Sequence, residues 1–292
     1  MRNVTEDNIT DTFLSYFGEK TDPRVLEIMS SLTRHLHDFV RETRITHAEW
    51  QQGLEFLRAT GRITTPQRDE FVLLSDVLGL SSLVDMMHSP AVGTSSSVLG
   101  PFHVSNPPDY PLGTDLRGEF GGDVVLVKGR ILDVDGKPVS GATIDIWQTA
   151  PNGMYSSQDP DQDEFSFHAK FTADEGGNYH FTTVKPVPYT VPTDGPVGDI
   201  LTATGRHPWR PSHLHYIVEA EGFRPLVTEV FPSDDEYLDQ DTVFGVRDDL
   251  IMEYQPQVAG TFPEQGFKLS GSVEGPWMLV DFDIILVPTS GA

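Results

Sequence analysis

The stretch Val124-Val125-Leu126-Val127-Lys128-Gly129-Arg130-Ile131-Leu132, a turn at Asp135-Gly136, and Ala142-Thr143-Ile144-Asp145-Ile146 decide the fold class. Alternate residues face one way in a strand, and Asp-Gly suits the positive φ values of a tight turn, so the two segments read as a β-hairpin. Working outward, further strands are expected over residues 165–172, 179–184, 213–220, 226–231 and 278–287, separated by Gly, Pro and Asp clusters. This many short strands with such turns predict a mainly β chain folded as an antiparallel β-sandwich. Upstream the period changes. Val25, Leu26, Met29, Leu32, Leu36, Phe39 and Val40 recur at three- and four-residue steps after Pro23, which is the spacing of an amphipathic helix. Thr46 with Glu49 reads as a capping box opening a second helix that Gly61 closes, and Thr65-Pro66 reads as the start of a third that runs irregularly to about Met87. After Ser89-Pro90 a Gly/Ser run, Gly93 to Ser97, has linker composition. The expected division is therefore a helical part, 1–92, and a β part, 93–292.

Composition excludes several classes. With 44 Asp+Glu against 20 Lys+Arg the formal charge is −24, so a phosphate backbone or an anionic membrane would repel this surface. No nucleic-acid partner is expected. The absence of cysteine removes disulfides, thiolate metal sites and thiol nucleophiles. No basic-then-apolar leader opens the sequence, and no run of about 18 uncharged apolar residues occurs, so the expectation is a cytoplasmic protein with no membrane span.

Among the polar motifs, Asp159, Asp161 and Asp163 have the odd-position spacing of a calcium loop. Glu164 stands where such a loop needs glycine and Lys170 where it needs a bidentate carboxylate, so the stretch reads as solvated loop. His35 and His37 fall in a helix, where two residues turn the side chains by roughly 200°, and they cannot share an ion. His213 and His215 fall at the start of a strand, where residues two apart face the same way and two imidazoles can meet one ion. Further ligands must come from oxygen-bearing side chains, and Tyr155 and Tyr189 lie in loops upstream; spacing alone leaves them open between ligands and ordinary core tyrosines.

The ordered series Tyr155, Tyr189, Arg210-Pro211-Ser212-His213-Leu214-His215 and Tyr237-Leu-Asp-x-Asp-x-Val-Phe-Gly-Val246 resembles the intradiol ring-cleaving dioxygenases, specifically their hydroxyquinol 1,2-dioxygenase branch. Val98-Leu99-Gly100-Pro101-Phe102 and Asp194-Gly195-Pro196-Val197-Gly198 are similar to that branch too. The resemblance implies that Tyr155, Tyr189, His213 and His215 ligate one non-haem Fe(III), and that Arg210 stabilises developing negative charge and supplies local positive charge. Tyr189, in a Pro-rich loop, is the tyrosine implied to yield to substrate and act as base. Asp85 is matched to the position facing the third ring hydroxyl, with Leu99, Gly100, Pro101, Phe102, Val191, Pro192 and Val243 lining the pocket. Read without the match, Asp85 is an exposed helix carboxylate. Two positions depart from the pattern: Met154, where relatives often carry an aromatic residue, and Glu229, where an amide or histidine is expected.

Phenolate ligation suits Fe(III). A tyrosine with an ordinary pKa of about 10 stays deprotonated at neutral pH only beside a strong Lewis acid. The resemblance implies ring cleavage of an aromatic diol or triol by O2: hydroxyquinol to 3-hydroxy-cis,cis-muconate, the tautomer of maleylacetate, with catechol or a substituted catechol as the alternative. It also implies a homodimer formed through the helical part, with a phospholipid often held between subunits. Two other readings remain at this point: a non-enzymatic transthyretin-like binding module, which the hairpin also resembles, and a metal-dependent hydrolase.

Overall fold

The computed structural model describes residues 3–66, 68–258 and 275–289. The chain forms two compact units, Met1–Arg58 and Ala59–Ala292. In the first, α1 (Ile9–Leu14) lies along α2 (Pro23–Thr43), held by Arg41 Nη2 donating to the Glu6 carbonyl at 2.8 Å and by a 3.0 Å hydrogen bond between Thr10 Oγ1 and His37 Nδ1. Asp22 caps α2 by accepting from the amides of Arg24 and Val25, and Arg44, at φ 53°, ends it. The capping box of α3 (His47–Ile63) is formed: Thr46 N donates to Glu49 Oε2 and Glu49 N to Thr46 Oγ1. That helix runs two residues past Gly61, which therefore does not close it.

The expected third helix is two. Thr65 and Arg68 form a short bridge, Asp69 caps α4 (Glu70–Val77), and Gly79, at φ 72°, breaks the chain before α5 (Leu80–His88). A left-handed residue cannot continue an α-helix, and glycine adopts that conformation without steric cost. Both helices belong to the second unit. Among the described residues no single helix is long and apolar enough to cross a membrane.

The strands of the second unit form two large sheets and one ribbon. One sheet runs β10 (Gln255–Gln257), β11 (Trp277–Asp281), β1 (Val124–Asp133), β12 (Ile284–Leu286), with β4 (Asn178–Val184) also paired to β1. The other runs β3 (His168–Thr172), β2 (Thr143–Gln148), β7 (Leu214–Glu219), β8 (Leu226–Pro232), β9 (Ile251–Met252). Tyr189–Thr190 (β5) pairs with Trp209–Arg210 (β6) in the ribbon, and α6 (Pro196–Ala203) lies between them in sequence. One apolar cluster takes residues from both large sheets, including Val125, Val127 and Ile131 from β1, Ile144 and Ile146 from β2, and Tyr216 and Val218 from β7.

The purely antiparallel expectation is corrected. β1 pairs in parallel with β11 and β12, and β8 with β9, so the sheets are mixed. The last strands return to β1 from far along the chain, and a parallel pair needs a long connection that leaves no turn signature. Residues 278–287 are likewise two strands, because Phe282 folds over Gly129: a Cβ there would meet the Phe282 carbonyl oxygen at 1.9 Å. The hairpin is corrected as well. The turn exists, with Gly136 N donating to the Asp133 carbonyl, but the chain then passes Gly141, at φ 72°, and β2 joins the other sheet.

Candidate metal centre

The period-two register of the second sheet aligns a row of side chains. Trp147 on β2 stands directly opposite His168 on β3 and His215 on β7, and His215 stands opposite Glu229 on β8. His213 precedes β7 by one residue. Tyr189 and Arg210 face each other in the β5–β6 ribbon. Tyr155 comes from the loop after β2, where Asn152 Nδ2 donates to Asp159 Oδ2 at 2.7 Å and Tyr155 N to Gln158 Oε1 at 3.1 Å. Asp159 is thus a loop brace.

These elements bring four donor atoms together. His213 Nε2 lies 3.1 Å from His215 Nε2 and 3.1 Å from Tyr155 Oη; His215 Nε2 lies 3.2 Å from Tyr155 Oη, and Tyr155 Oη lies 3.5 Å from Tyr189 Oη. All four side chains are buried. His213 Nδ1 is 2.7 Å from the Pro211 carbonyl, which only accepts, so that nitrogen carries the proton and the Nε2 lone pair faces the cluster. Burial, aided by Arg210, holds His213 well below the ordinary imidazole pKa; burial and the neighbouring cations do the same for His215, against the opposing charge of Glu229. Burial also raises both phenols, Tyr155 strongly.

Neutral imidazole lone pairs and phenol oxygens aimed at one buried point suit a hard or borderline cation. Donor chemistry and geometry both fit the non-haem ferric ion expected from the sequence. Glu229 strengthens the fit. Its Oε1 lies 3.3 Å from His215 Nδ1, and neither atom finds a well-aligned hydrogen bond. A carboxylate beside a ligating histidine is a usual support of a metal-bound imidazole, and the same Oε1 pairs with Arg210 Nη1 at 2.9 Å.

Arg210 is held on every side. Nε and Nη2 donate to Asp241 at 3.1 Å each, Nη2 also to Glu229 Oε2 at 3.1 Å, and Nη1 lies 3.1 Å from His213 Nε2. The guanidinium of Arg210 thus sits between two buried carboxylates, Asp241 and Glu229. Ser97 Oγ donates to Glu229 Oε2 at 2.5 Å, and Gly245 N to Asp241 Oδ2 at 2.8 Å. Gly245 is needed for close approach, since a Cβ there would lie 2.7 Å from Glu229 Oε2 and 2.8 Å from Arg210 Nη2.

A pocket of about 590 Å³ opens beside Tyr189, lined among others by Phe102, Met154, Pro192, Trp209 and Arg68. Phe102 stacks on Tyr155 with centroids 4.8 Å apart. Of the other residues expected to line the pocket, Gly100 lies against His215, with its would-be Cβ 3.6 Å from Cε1, while Val191 and Val243 are core, packed with Leu73 and Val77 of α4. Leu99 is exposed and Pro101 half-buried. Asp85 does not join them: it lines a separate pocket of about 210 Å³ with Ser96, Arg224 and Val287.

The carboxylate that sequence reasoning missed is Asp76 on α4. It is buried, and burial pushes its pKa up to about 6 against the opposing pull of Ser81 and Arg210. Its neighbour Val77 packs with Val98, Val191 and Val243, the residues flanking the loops of the site. The signal was the helix face: Leu73, Asp76 and Val77 share three- and four-residue spacing with buried positions.

Comparison with known proteins identifies the family. Residues 100–286 match the family model described as Dioxygenase, and residues 22–95 match Catechol dioxygenase N terminus. The chain belongs to the intradiol ring-cleavage dioxygenase family and is an iron-dependent dioxygenase. It is 42% identical over 291 residues to 6-chlorohydroxyquinol 1,2-dioxygenase of Cupriavidus pinatubonensis, covering 99% of this chain and 100% of that one. It is 43% identical over 289 residues to hydroxyquinol 1,2-dioxygenase of Nocardioides simplex, covering 98% and 97%. The crystal structure of hydroxyquinol 1,2-dioxygenase from Pseudomonas putida DLL-E4 superposes with a TM-score of 0.86 at 43% identity, over 97% of this chain and 98% of that one. Family membership sets aside the non-enzymatic module and the hydrolase.

Proposed function

We propose that this chain cleaves hydroxyquinol between its adjacent hydroxyl-bearing carbons, using O2, to give 3-hydroxy-cis,cis-muconate, the tautomer of maleylacetate. The observation that carries the reading is the convergence of Tyr155, Tyr189, His213 and His215 on one buried point beside an open pocket. These four residues would hold one non-haem Fe(III). Bound there, ferric iron supplies the Lewis acidity that deprotonates a 1,2-diol and the electron acceptor that opens the ring to dioxygen.

The chain's own residues do the rest. Tyr189 lines the pocket whereas Tyr155 lies under Phe102, so Tyr189 Oη is the group positioned to take a proton from the entering diol. Phe102 and Pro192 exclude water from one side of the ring. Arg210, locked by Asp241 and Glu229, keeps its guanidinium fixed beside His213, where a preorganised donor best stabilises developing negative charge. Asp76 is the buried acceptor suited to the third ring hydroxyl, a role the sequence match had given to Asp85. Association falls to the helical part, 1–92, with 93–292 carrying the ligands; in support, α2 leaves Leu32, Leu36, Phe39 and Val40 exposed along one stripe, which a homodimer with bound phospholipid would cover.

Oxygen uptake by iron-replete protein on hydroxyquinol, catechol and 4-chlorocatechol tests the reading, with the red colour of tyrosinate-to-iron charge transfer as the check on loading. Fastest turnover of hydroxyquinol is expected. A strong preference for catechol would move the chain to the catechol-cleaving branch, and no uptake on any diol would overturn the enzymatic reading.

A further inference from the structure

A second cluster of ligand-type side chains lies on the same sheet face and takes no part in the chemistry above. Asp145 on β2 accepts from two imidazoles: His168 Nε2 on β3 at 2.8 Å from Oδ1, and His103 Nε2, from the loop after Phe102, at 3.0 Å from Oδ2. The three ligand atoms lie within 4.8 Å of one another. The geometry points to a second cation site, in which His103, Asp145 and His168 bind a divalent transition ion of the zinc type.

The two nitrogen–oxygen distances, 2.8 and 3.0 Å, are close to those an ion would set. Bonds of about 2.0–2.1 Å to imidazole nitrogen and carboxylate oxygen place neighbouring ligand atoms roughly 2.9–3.4 Å apart for angles between octahedral and tetrahedral. The charges match too. The Asp145 carboxylate supplies a negative charge in a spot where the side chains are only 18%, 13% and 3% exposed for His103, Asp145 and His168. Lys170, directly opposite Asp145 in register, does not neutralise it, because its ammonium pairs with Asp109 at 3.1 Å. Although burial opposes ionisation, the two histidines hold Asp145 below the usual carboxylate range. The carboxylate is therefore anionic, as a ligand must be.

The rings are also braced from behind. Trp147 packs edge-on against His103 at 4.7 Å and against His168 at 5.8 Å, and Phe165 covers His168 from another side at 5.9 Å. His103, the most accessible of the three, provides the entry path. On binding, each imidazole offers its Nε2 lone pair to the ion and carries its proton on Nδ1. Set beside the ferric centre but separate from it, the ion would clamp the far side of Trp147, whose near face rests on His215.

Equilibrium dialysis of the iron-loaded protein against Co2+, read by metal analysis and by the visible ligand-field bands of cobalt, tests the site without recourse to activity. The wild type is expected to take up one Co2+ per chain beyond its iron, with the iron content unchanged. His168→Arg, which places a guanidinium against Asp145, and Asp145→Asn should each weaken uptake by at least about tenfold. His103→Gln, in a loop, decides the matter where a strand variant does not fold. No uptake beyond iron in the wild type, or equal uptake by these variants through adventitious histidines elsewhere, would overturn the proposal.

Discussion

The indole of Trp147 lies flat on the imidazole of His215, with ring centroids 4.5 Å apart and planes 5° from parallel. Because the two residues are direct cross-strand partners, the register of β2 on β7 sets the plane of a proposed metal ligand. Trp147 is 1% exposed, so its removal leaves a cavity behind the ring. Trp147→Ala should cost about 3–5 kcal/mol, measured by denaturant midpoint, and lower the iron retained after dialysis; Trp147→Phe should recover most of both. Full iron retention in the alanine variant would show that the stack does not hold His215.

Asp76 carries a pH signature. Its folded pKa of about 6 lies above the ordinary aspartate value of 3.8, so folding favours the protonated acid. The contribution is fully present below pH 3.8 and is lost as pH rises through 6, about 3 kcal/mol in all. Asp76→Asn should therefore melt above the wild type at pH 8 and near it at pH 4. The same variant should lose more turnover on hydroxyquinol than on catechol. Asp85→Ala should change both substrates alike, and a hydroxyquinol-specific loss there would return the recognition role to Asp85.

Glu229 stands where an amide or histidine was expected, and it binds Arg210, Ser97 and the rear of His215 together. Glu229→Gln keeps the shape but removes the charge that offsets a cation. It should fold with little loss of stability, bind iron about 10–100-fold more weakly, and shift the charge-transfer band. Glu229→Ala, which leaves Ser97 and one side of the Arg210 guanidinium without their carboxylate while Asp241 still holds the other, should cost about 1–3 kcal/mol in urea unfolding.

Gly245 tests the packing of the same network. A methyl group there meets Glu229 Oε2 at 2.7 Å and Arg210 Nη2 at 2.8 Å, both of them tethered atoms. Gly245→Ala is expected to destabilise by about 1–3 kcal/mol and to reduce kcat more than it changes KM. A KM effect alone would place the damage in substrate binding rather than in the alignment of Arg210.

Strand positions were legible because short β-branched and apolar runs bounded by Gly, Pro and Asp mark strands, and in 124–132 and 226–231 most residues are buried on both faces rather than alternating. Partners were not. β1 pairs with residues 278–286, far along the chain, and neither parallel pairing nor the passage of β2 to the other sheet leaves a local mark. The helix expected from Thr65 to Met87 failed for a local reason, the left-handed Gly79.

By itself the sequence determined which donor types the chain owns: a His-x-His at the start of a strand, an arginine beside it and no cysteine, with the two tyrosines singled out only by the family resemblance. Their meeting is a tertiary fact, since Tyr155, Tyr189 and His213 come from three separate segments and touch only when β2, the β5–β6 ribbon and β7 are assembled. Burial is likewise tertiary. It separates Asp76, enclosed beside the site, from Asp85, which lines another pocket, although both are carboxylates on short helices. Composition sets which charges a chain owns, and packing sets which of them are taken out of water; only there does the field of Arg210, Asp241 and Glu229 become strong enough to hold a reactive site in one arrangement.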